Sequence, residues 1–277
     1  MRSLSELPPF SGIVNKLLAS MADESVSLAT LADLIEKDPV LAGNILSMVN
    51  SALYARRSTV NSVRHAMSLL GIRKIRNAAL GMSIAGMWSQ ATFPRGWSMK
   101  AFNLHSAATA VLADMIAVEA PSEYPEGAFT AGLLHDLGRL LVATGLGEEF
   151  AAIRVKHVES GATLEECELA VLGFHPAELS ERALSLWKLP PAIVTAVGSY
   201  PHLQVTPSAT VAEIPLGLVI AAAERLVESL GISVHDSPPL PEPDVEAVVK
   251  LGLAAPRVAK LLAAFQIEYA AISPLFQ

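Results

Sequence analysis

The chain has little of several residue types, and each shortage narrows what it can be. One cysteine, Cys167, in 277 residues excludes an intramolecular disulfide and a multi-thiolate metal cluster within one chain. Aromatic residues make up 5% and charged residues 17%, whereas hydrophobic residues reach 52%. No apolar run attains the roughly 20 uncharged residues that span a bilayer, and the N-terminus lacks a stretch typical of a signal peptide. We therefore expect a folded cytoplasmic protein that does not use a membrane.

Acidic residues are missing from a long segment, since no Asp or Glu lies between Asp38 and Asp114. The basic residues of this segment are Arg56, Arg57, Arg64, Arg73, Lys74, Arg76, Arg95 and Lys100. The segment thus carries +8, and the remainder must carry −15 to give the net charge of −7. This asymmetry predicts either a positive surface for an anionic ligand or partner, or a basic part matched by acidic parts of the same chain.

The hydrophobic pattern repeats at helical spacing throughout, and strand alternation is absent, so the predicted fold class is all-α. Three helices are expected to begin after Ser11, after Ser27 and at Asp38-Pro39, where proline suits the first helical position. Further helices are expected near 62–70, 73–88, 99–118, 127–143, 147–159, from 163, 176–187, from 190, 214–230 and 245–265. Pro94 and Gly96 mark the best boundary between two sets of helices, near 89–98.

Several segments together resemble the HDOD (HD-related output domain) family. They are Asp38-Pro39 through Asn50-Ser-Ala-Leu-Tyr54, Val63–Arg76, His105-Ser106, Ala131–Gly138 and Glu178–Pro191. The similarity covers about 5–230 and implies a two-lobed helical protein. A five-helix N-terminal bundle would span about 5–90 and an HD-like helical lobe about 98–230. Residues 231–277 would form a C-terminal loop and helix that pack on the HD-like lobe.

The resemblance also implies a role, because such domains are regarded as regulatory modules of bacterial signal transduction. No phosphoacceptor or GGDEF-like segment is recognised, so we expect a stand-alone HDOD protein. The leading hypothesis is a non-catalytic output module that binds a signalling protein or a small acidic effector. The alternatives are a metal-dependent phosphohydrolase acting on nucleotides or cyclic dinucleotides, and a nucleotide sensor without turnover. A homo-oligomer stays open, while the pI of about 5.5 argues against direct nucleic-acid binding.

The pair His135-Asp136 lies inside an apolar helical stretch, where it is costly to bury without a partner. A divalent metal ion would satisfy both side chains. By the resemblance, an HD site also needs an earlier histidine and a later aspartate. His105 fits the first, and Glu224 replaces the second in Ala223-Glu-Arg-Leu226. Such ligands hold divalent ions and can leave a position for activated water.

Other positions depart from the pattern of an active HD site. Pro176 stands where the family commonly has a histidine, and His175 comes one residue early, about 100° away on a helix. The usual paired histidines correspond to Tyr200-Pro201-His202, which leaves at most one. We therefore predict a degenerate site and assign no catalytic residue. The candidates for a divalent metal are His105, His135, Asp136 and Glu224, with a structural hydrogen-bond network as the alternative.

A second set of candidates is basic and lies around Gly71, between two predicted helices. Guanidinium groups there could hold a phosphate through paired hydrogen bonds. A solvated positive face or a salt-bridge network is the alternative. The candidate anion- or partner-binding residues are Arg56, Arg57, Arg64, Arg73, Lys74 and Arg76.

Overall fold

The computed structural model describes residues 7–22, 27–51, 54, 59–204, 213–235 and 239–276. These residues form α-helices joined by loops and short 3-10 turns. Their one β feature is an isolated bridge between Ser122 and Ile214. The prediction of an all-α fold is therefore confirmed. By their contacts the described residues divide into two compact units: those within 9–89 group with 259–276, and 7–8 group with those within 90–258.

The first unit, which we call the N-terminal unit, contains the five helices that the sequence predicts before residue 89. They are α1 (Gly12–Ala22), α2 (Leu28–Glu36), α3 (Pro39–Val49), α4 (Val63–Leu70) and α5 (Ile72–Ala85). Ser27, Asp38 and Ser62 each begin a helix, because their side chains accept hydrogen bonds from backbone N–H groups of the first turn. Local capping chemistry therefore sets these boundaries.

The second unit, which we call the C-terminal unit, carries the remaining predicted helices up to residue 258. They are α6 (Met99–Glu119), α7 (Ala128–Leu134), α8 (Leu137–Gly145), α9 (Gly147–Ser160), α10 (Leu164–Leu172), α11 (Pro176–Leu186), α12 (Pro191–Ser199), α13 (Leu216–Ser229) and α14 (Glu246–Lys250). The long helix α6 packs against both α7 and α13. A Cβ added to Gly132 of α7 would lie 2.9 Å from the Ala110 Cα. Glycine therefore permits the close approach of α7 to α6.

The end of the chain differs from the prediction in two ways. The helix expected near 245–265 is interrupted, because Gly252 adopts a φ of +92° after α14 and α15 (Ala255–Ile272) begins only later. In addition, residues 259–276 belong to the N-terminal unit, where Glu268 pairs with Lys74, whereas the prediction placed all of 231–277 on the HD-like lobe. An apolar helical stripe requires burial but does not specify which core supplies it.

Two segments, Met99–Glu119 and Ala255–Phe276, are long and apolar enough to cross a membrane when judged by length and composition alone. Core helices of globular proteins pass the same test, and 67% of the apolar window of the first segment is buried within the protein. In the second segment, 28% of the apolar window is buried within the protein. That the protein does not use a membrane stays a prediction.

A break interrupts the single helix predicted over 127–143. Helix α7 ends at Leu134 and α8 begins at Leu137, which leaves His135 and Asp136 at the junction. The buried hydroxyl of Ser180 bridges this break: it accepts the Gly138 N–H at 2.7 Å and donates to the His135 carbonyl at 2.9 Å. A side chain inserted in this way interrupts the helical hydrogen-bond ladder. Because the inserting residue comes from α11, the local sequence around the junction does not reveal the break.

Replacing Ser180 with alanine should lower the free energy of unfolding by about 1–3 kcal/mol, because two buried backbone groups lose their partner. Urea denaturation followed by circular dichroism measures this loss. The matched control is Ser185→Ala, an exposed serine on the same helix, which should change stability by less than about 0.5 kcal/mol. Equal effects of the two substitutions would argue against the bridging role.

Candidate metal centre

The four residues proposed from sequence as metal ligands meet in one cluster of the C-terminal unit, which we call the donor set. His105 lies on α6, Glu224 lies on α13, and His135 and Asp136 occupy the junction between α7 and α8. One potential ligand atom from each lies within 4.8 Å of the others. The extra methylene of Glu224 therefore does not remove its carboxylate from the cluster.

The separations of the donor atoms are close to those expected around a single ion. Nε2 of His105 and Nε2 of His135 lie 3.2 Å apart. The Asp136 Oδ2 is 3.5 Å from the first nitrogen and 3.7 Å from the second, and the Glu224 Oε1 is 3.7 Å from the second. Two atoms that each lie about 2.1 Å from a tetrahedral or octahedral ion are about 3.0–3.4 Å apart. Small movements would bring all four donors onto one ion.

The tautomers of the two histidines are fixed by backbone carbonyls, which can only accept hydrogen bonds. Nδ1–H of His105 donates to the Ile232 oxygen at 2.9 Å, and Nδ1–H of His135 donates to the Gly132 oxygen at 2.7 Å. In the neutral form of each histidine, the lone pair of Nε2 therefore points toward Nε2 of the other ring. Such an arrangement needs a positive charge between the rings, which either a proton or a metal ion provides. Orientation of metal-binding histidines through the other ring nitrogen is common in metal sites.

The acid–base properties of the donor set follow from burial and from its carboxylates. Burial lowers the pKa of His105. Burial also lowers the pKa of His135, but Asp136 and Glu224 together raise it by more, so its pKa lies above the ordinary value. The pKa of Asp136 lies well below its ordinary value despite burial, because Arg139 and the two histidines favour the carboxylate. In the absence of metal, His135 is the preferred place for a proton.

Arg139 is a residue of the site that the sequence reasoning missed. Its Nη1 donates to both oxygens of Asp136, at 3.0 and 2.9 Å, and lies 3.8 Å from the Glu224 Oε1. On its other edge, Nε and Nη2 donate to the two oxygens of Glu168, at 2.9 and 3.3 Å. The signal in the sequence was a lone arginine three residues after Asp136 in an apolar stretch, where a buried charge needs a counter-ion.

Tyr200 occupies the region in which the resemblance led us to look for paired histidines. Its hydroxyl donates to the Asp136 Oδ1 at 3.1 Å and approaches the Glu224 Oε1 at 3.5 Å. Its ring packs edge-on against His135, with 5.4 Å between ring centroids. Burial and the nearby carboxylates raise the pKa of Tyr200 well above 10, so the hydroxyl keeps its proton.

The neighbouring histidines do not join the donor set. His175 precedes α11 as its N-cap, and its Nδ1 accepts the Ala177 N–H at 3.2 Å. The prediction that a one-residue shift would rotate it around a helix is therefore wrong, because Pro176 is the first helical residue. His202 packs against His175, with 5.4 Å between ring centroids.

The charge of the site also fits a divalent cation. Asp136, Glu168 and Glu224 contribute −3 and Arg139 contributes +1, which leaves −2 when both histidines are neutral. Buried charges are stabilised only when paired or bound to metal. The donor chemistry, two imidazoles with two carboxylates, is typical of sites for zinc, iron or manganese.

The donor set is enclosed. His105 and His135 are 0% exposed, Asp136 is 3% exposed and Glu224 is 8% exposed. A cavity of about 440 Å³ lies beside the site, and Arg139 forms part of its wall. None of the four donors is among the described residues that line it. The charged residues of the wall are Arg139, Glu165, Arg225, Glu228 and Asp244.

The candidate anion-binding residues lie in the N-terminal unit, apart from two outside the described residues, Arg56 and Arg57. Arg64 pairs with Asp33 at 3.0 Å, and Lys74 pairs with Glu268. Nη1 of Arg76 donates to the Ser20 carbonyl at 3.2 Å. Arg73 is half-buried on α5. The described contacts favour a salt-bridge network, and anion binding here stays a prediction.

The helical unit and its His, His-Asp and carboxylate cluster together define an HD-related domain. Residues 7–202 match the family model of the HDOD domain. The chain therefore belongs to the HDOD family, and the resemblance drawn from the sequence is confirmed. No curated protein matches the chain in sequence.

Solved structures agree with this fold. An HDOD domain protein of unknown function from Geobacter sulfurreducens is 23% identical, with a TM-score of 0.78 over 98% of this chain and 93% of its own. A provisionally named phosphohydrolase from Shewanella amazonensis SB2B is 21% identical, with a TM-score of 0.75 over 100% of this chain and 97% of its own. A provisionally named signal transduction protein from Marinobacter aquaeolei VT8 is 20% identical, with a TM-score of 0.74 over 98% of this chain and 60% of its own.

Proposed function

We propose that this chain is a non-catalytic output domain in signal transduction, which binds a protein partner or a small acidic effector. The observation that carries the proposal is the enclosure of the donor set, whose members are at most 8% exposed. A hydrolytic metal needs an open coordination position for water and a path for the substrate. An acidic ligand at the N-terminal unit would compete with Asp33 and Glu268 for the exposed cations Arg64 and Lys74 on α4 and α5.

The side chains around the donors support the same conclusion. Both oxygens of Asp136 accept hydrogen bonds from Arg139, and one of them also accepts the Tyr200 hydroxyl. The ring of Tyr200 covers one edge of His135. These groups fill space beside the donors and occupy the lone pairs of the Asp136 oxygens. An attacking water and a phosphodiester would need that space and those lone pairs. The cluster is therefore better suited to holding helices together than to turnover.

In this proposal His105, His135, Asp136 and Glu224 would hold a divalent ion as a structural centre. The ion would cross-link α6, the junction between α7 and α8, and α13. When bound in an open site, such an ion acts as a Lewis acid and lowers the pKa of a coordinated water. Here its contribution would be to stability, because binding to the folded state alone stabilises that state.

A metal-dependent phosphohydrolase is the second candidate function. It is favoured by the convergence of four suitable donors within 4.8 Å. The nucleotide sensor has less support, because the cavity beside the site carries three carboxylates, Glu165, Glu228 and Asp244, against Arg139 and Arg225. Burial and then Glu224 raise the pKa of Glu228 to about 7. Whether Glu228 is charged or neutral, these carboxylates and arginines give the wall no net positive charge that would attract phosphate groups.

Turnover distinguishes the first two functions. We expect the chain loaded with Mn²⁺, Fe²⁺ or Zn²⁺ to hydrolyse bis(p-nitrophenyl) phosphate and cyclic dinucleotides no faster than the His135→Ala/Asp136→Ala variant. Release of p-nitrophenolate and chromatography of the nucleotides measure the rates, with circular dichroism to verify that the variant is folded. Metal-dependent hydrolysis that disappears in the variant would establish the phosphohydrolase instead.

A further inference from the structure

Among the described cations, Arg139 is the one whose side chain ion-pairs with carboxylates of the donor set. We infer that Arg139 is a positioning residue that acts as a resident counter-cation and competes with metal for the donors, while Glu168 restrains it. The inference rests on the proposal that the donor set can bind a divalent ion. It adds a means by which the protein sets the affinity of that site.

The competition follows from shared oxygen atoms. Nη1 of Arg139 lies 2.9 Å from Oδ2 of Asp136, which is also the oxygen that faces Nε2 of both histidines. Nη1 is 3.8 Å from the Glu224 Oε1, which faces His135. The carboxylate oxygens placed to bind an ion are therefore those nearest the guanidinium. A metal ion would place a second positive charge beside one that is already present.

Glu168 holds the guanidinium from the opposite side. Its two oxygens accept Nε and Nη2 of Arg139 at 2.9 and 3.3 Å. Arg139 is 7% exposed and Glu168 is 4% exposed, so solvent and salt screen these charges weakly. Glu168 therefore offsets part of the positive charge and draws the guanidinium away from the donors. Both effects should favour metal binding.

This arrangement predicts opposite effects for two neutral substitutions. Arg139→Gln removes the competing charge and should tighten metal binding by about tenfold or more. Glu168→Gln leaves the guanidinium with the donors as its principal counter-ions, and should weaken metal binding by about 10–100-fold. If the two residues merely maintained donor geometry, both substitutions would weaken binding. The sign of the Arg139→Gln effect thus separates the two roles.

Two further variants serve as controls. Arg139→Lys keeps the charge, so its metal affinity should stay near that of the wild type and not follow Arg139→Gln. Glu165→Gln removes the same charge as Glu168→Gln, one turn earlier on α10 and from an exposed side chain that faces the cavity. It should change metal affinity by less than about threefold, because exposed charges are well screened.

The experiment is a titration of Zn²⁺, and separately Mn²⁺, into the chelator-stripped 277-residue chain in competition with a chromophoric chelator. Circular dichroism and cooperative thermal unfolding first establish that each variant is folded. If Arg139→Gln does not fold, the double variant Arg139→Gln/Glu168→Gln takes its place: metal binding tighter than in Glu168→Gln supports the inference, and equal or weaker binding overturns it. Binding only in Arg139→Gln, with none in the wild type, would support it in its strongest form.

Three results would overturn the inference: weaker binding in Arg139→Gln than in the wild type, no change in Glu168→Gln when the wild type binds metal, or no metal binding in any variant. None of them bears on whether the protein is an output domain. Metal-dependent turnover by the wild type would overturn the proposed function and leave the affinity comparison intact. The two failures are therefore distinguishable.

Discussion

Arg139→Met should lower the free energy of unfolding by about 3–5 kcal/mol, because it leaves buried carboxylates without their cation. Asp136 is 3% exposed and Glu168 is 4% exposed, and both form close ion pairs with this guanidinium. Methionine replaces much of the volume of the side chain, so most of the loss comes from the unpaired charges. Urea denaturation at pH 7, in protein freed of metal, measures the effect.

The control for this substitution is Arg225→Met in the same unit. Arg225 pairs with Asp244 at 3.0 Å, but its side chain is 58% exposed. Exposed ion pairs contribute between zero and about 1 kcal/mol, so Arg225→Met should have a small effect. Similar losses in the two variants would mean that the Arg139 pairs are not the source of the stability.

Stability should also fall as the pH is lowered from about 6.5 toward 4, and His175, whose charge is partly screened by solvent, should account for about 1–3 kcal/mol of the loss. Burial, then the charges of Arg139 and His202, lower the pKa of His175 from 6.5 to about 4; Asp136 and Glu224 oppose the shift. The unfolded state therefore binds the proton first. The full stability is present above pH 6.5 and is lost progressively down to the folded-state pKa.

His175→Asn isolates this contribution. Asparagine is a favoured N-cap, and its side-chain oxygen can accept the Ala177 N–H that the Nδ1 of His175 now accepts. His235, whose pKa burial lowers to about 4, titrates in both proteins and cancels in the comparison. Chemical denaturation at several pH values should show a smaller loss for His175→Asn. Identical pH profiles would exclude His175 as the titrating group.

The features predicted correctly from sequence were those with local causes. Asp38 and Pro39 specify the start of α3, and Thr163 with Glu166 forms a capping box that begins α10, the helix expected from 163. The four donor positions were also identified in advance, and the structure brings them together. Their function as metal ligands stays a proposal.

The features missed depend on residues distant in the chain. The helix break at His135-Asp136 needs Ser180, and the placement of Arg139 needs Glu168, 29 residues later. Tyr200 was noted as a position without histidine, yet its hydroxyl joins the carboxylates of the site. Helical periodicity describes which face of a helix is buried, but it does not identify the side chain that meets that face.

The Ser180 bridge has a consequence for the order of folding. His135 keeps helical backbone angles, φ −57° and ψ −42°, and the backbone first departs from them at Asp136, with φ −93° and ψ 12°. The hydrogen bonds that hold this break come from Ser180, so they form only when α11 docks. The donor set also takes His105 from α6 and Glu224 from α13. It therefore cannot assemble in a nascent α7–α8 segment, and uptake of metal would report that the C-terminal unit has completed its tertiary structure.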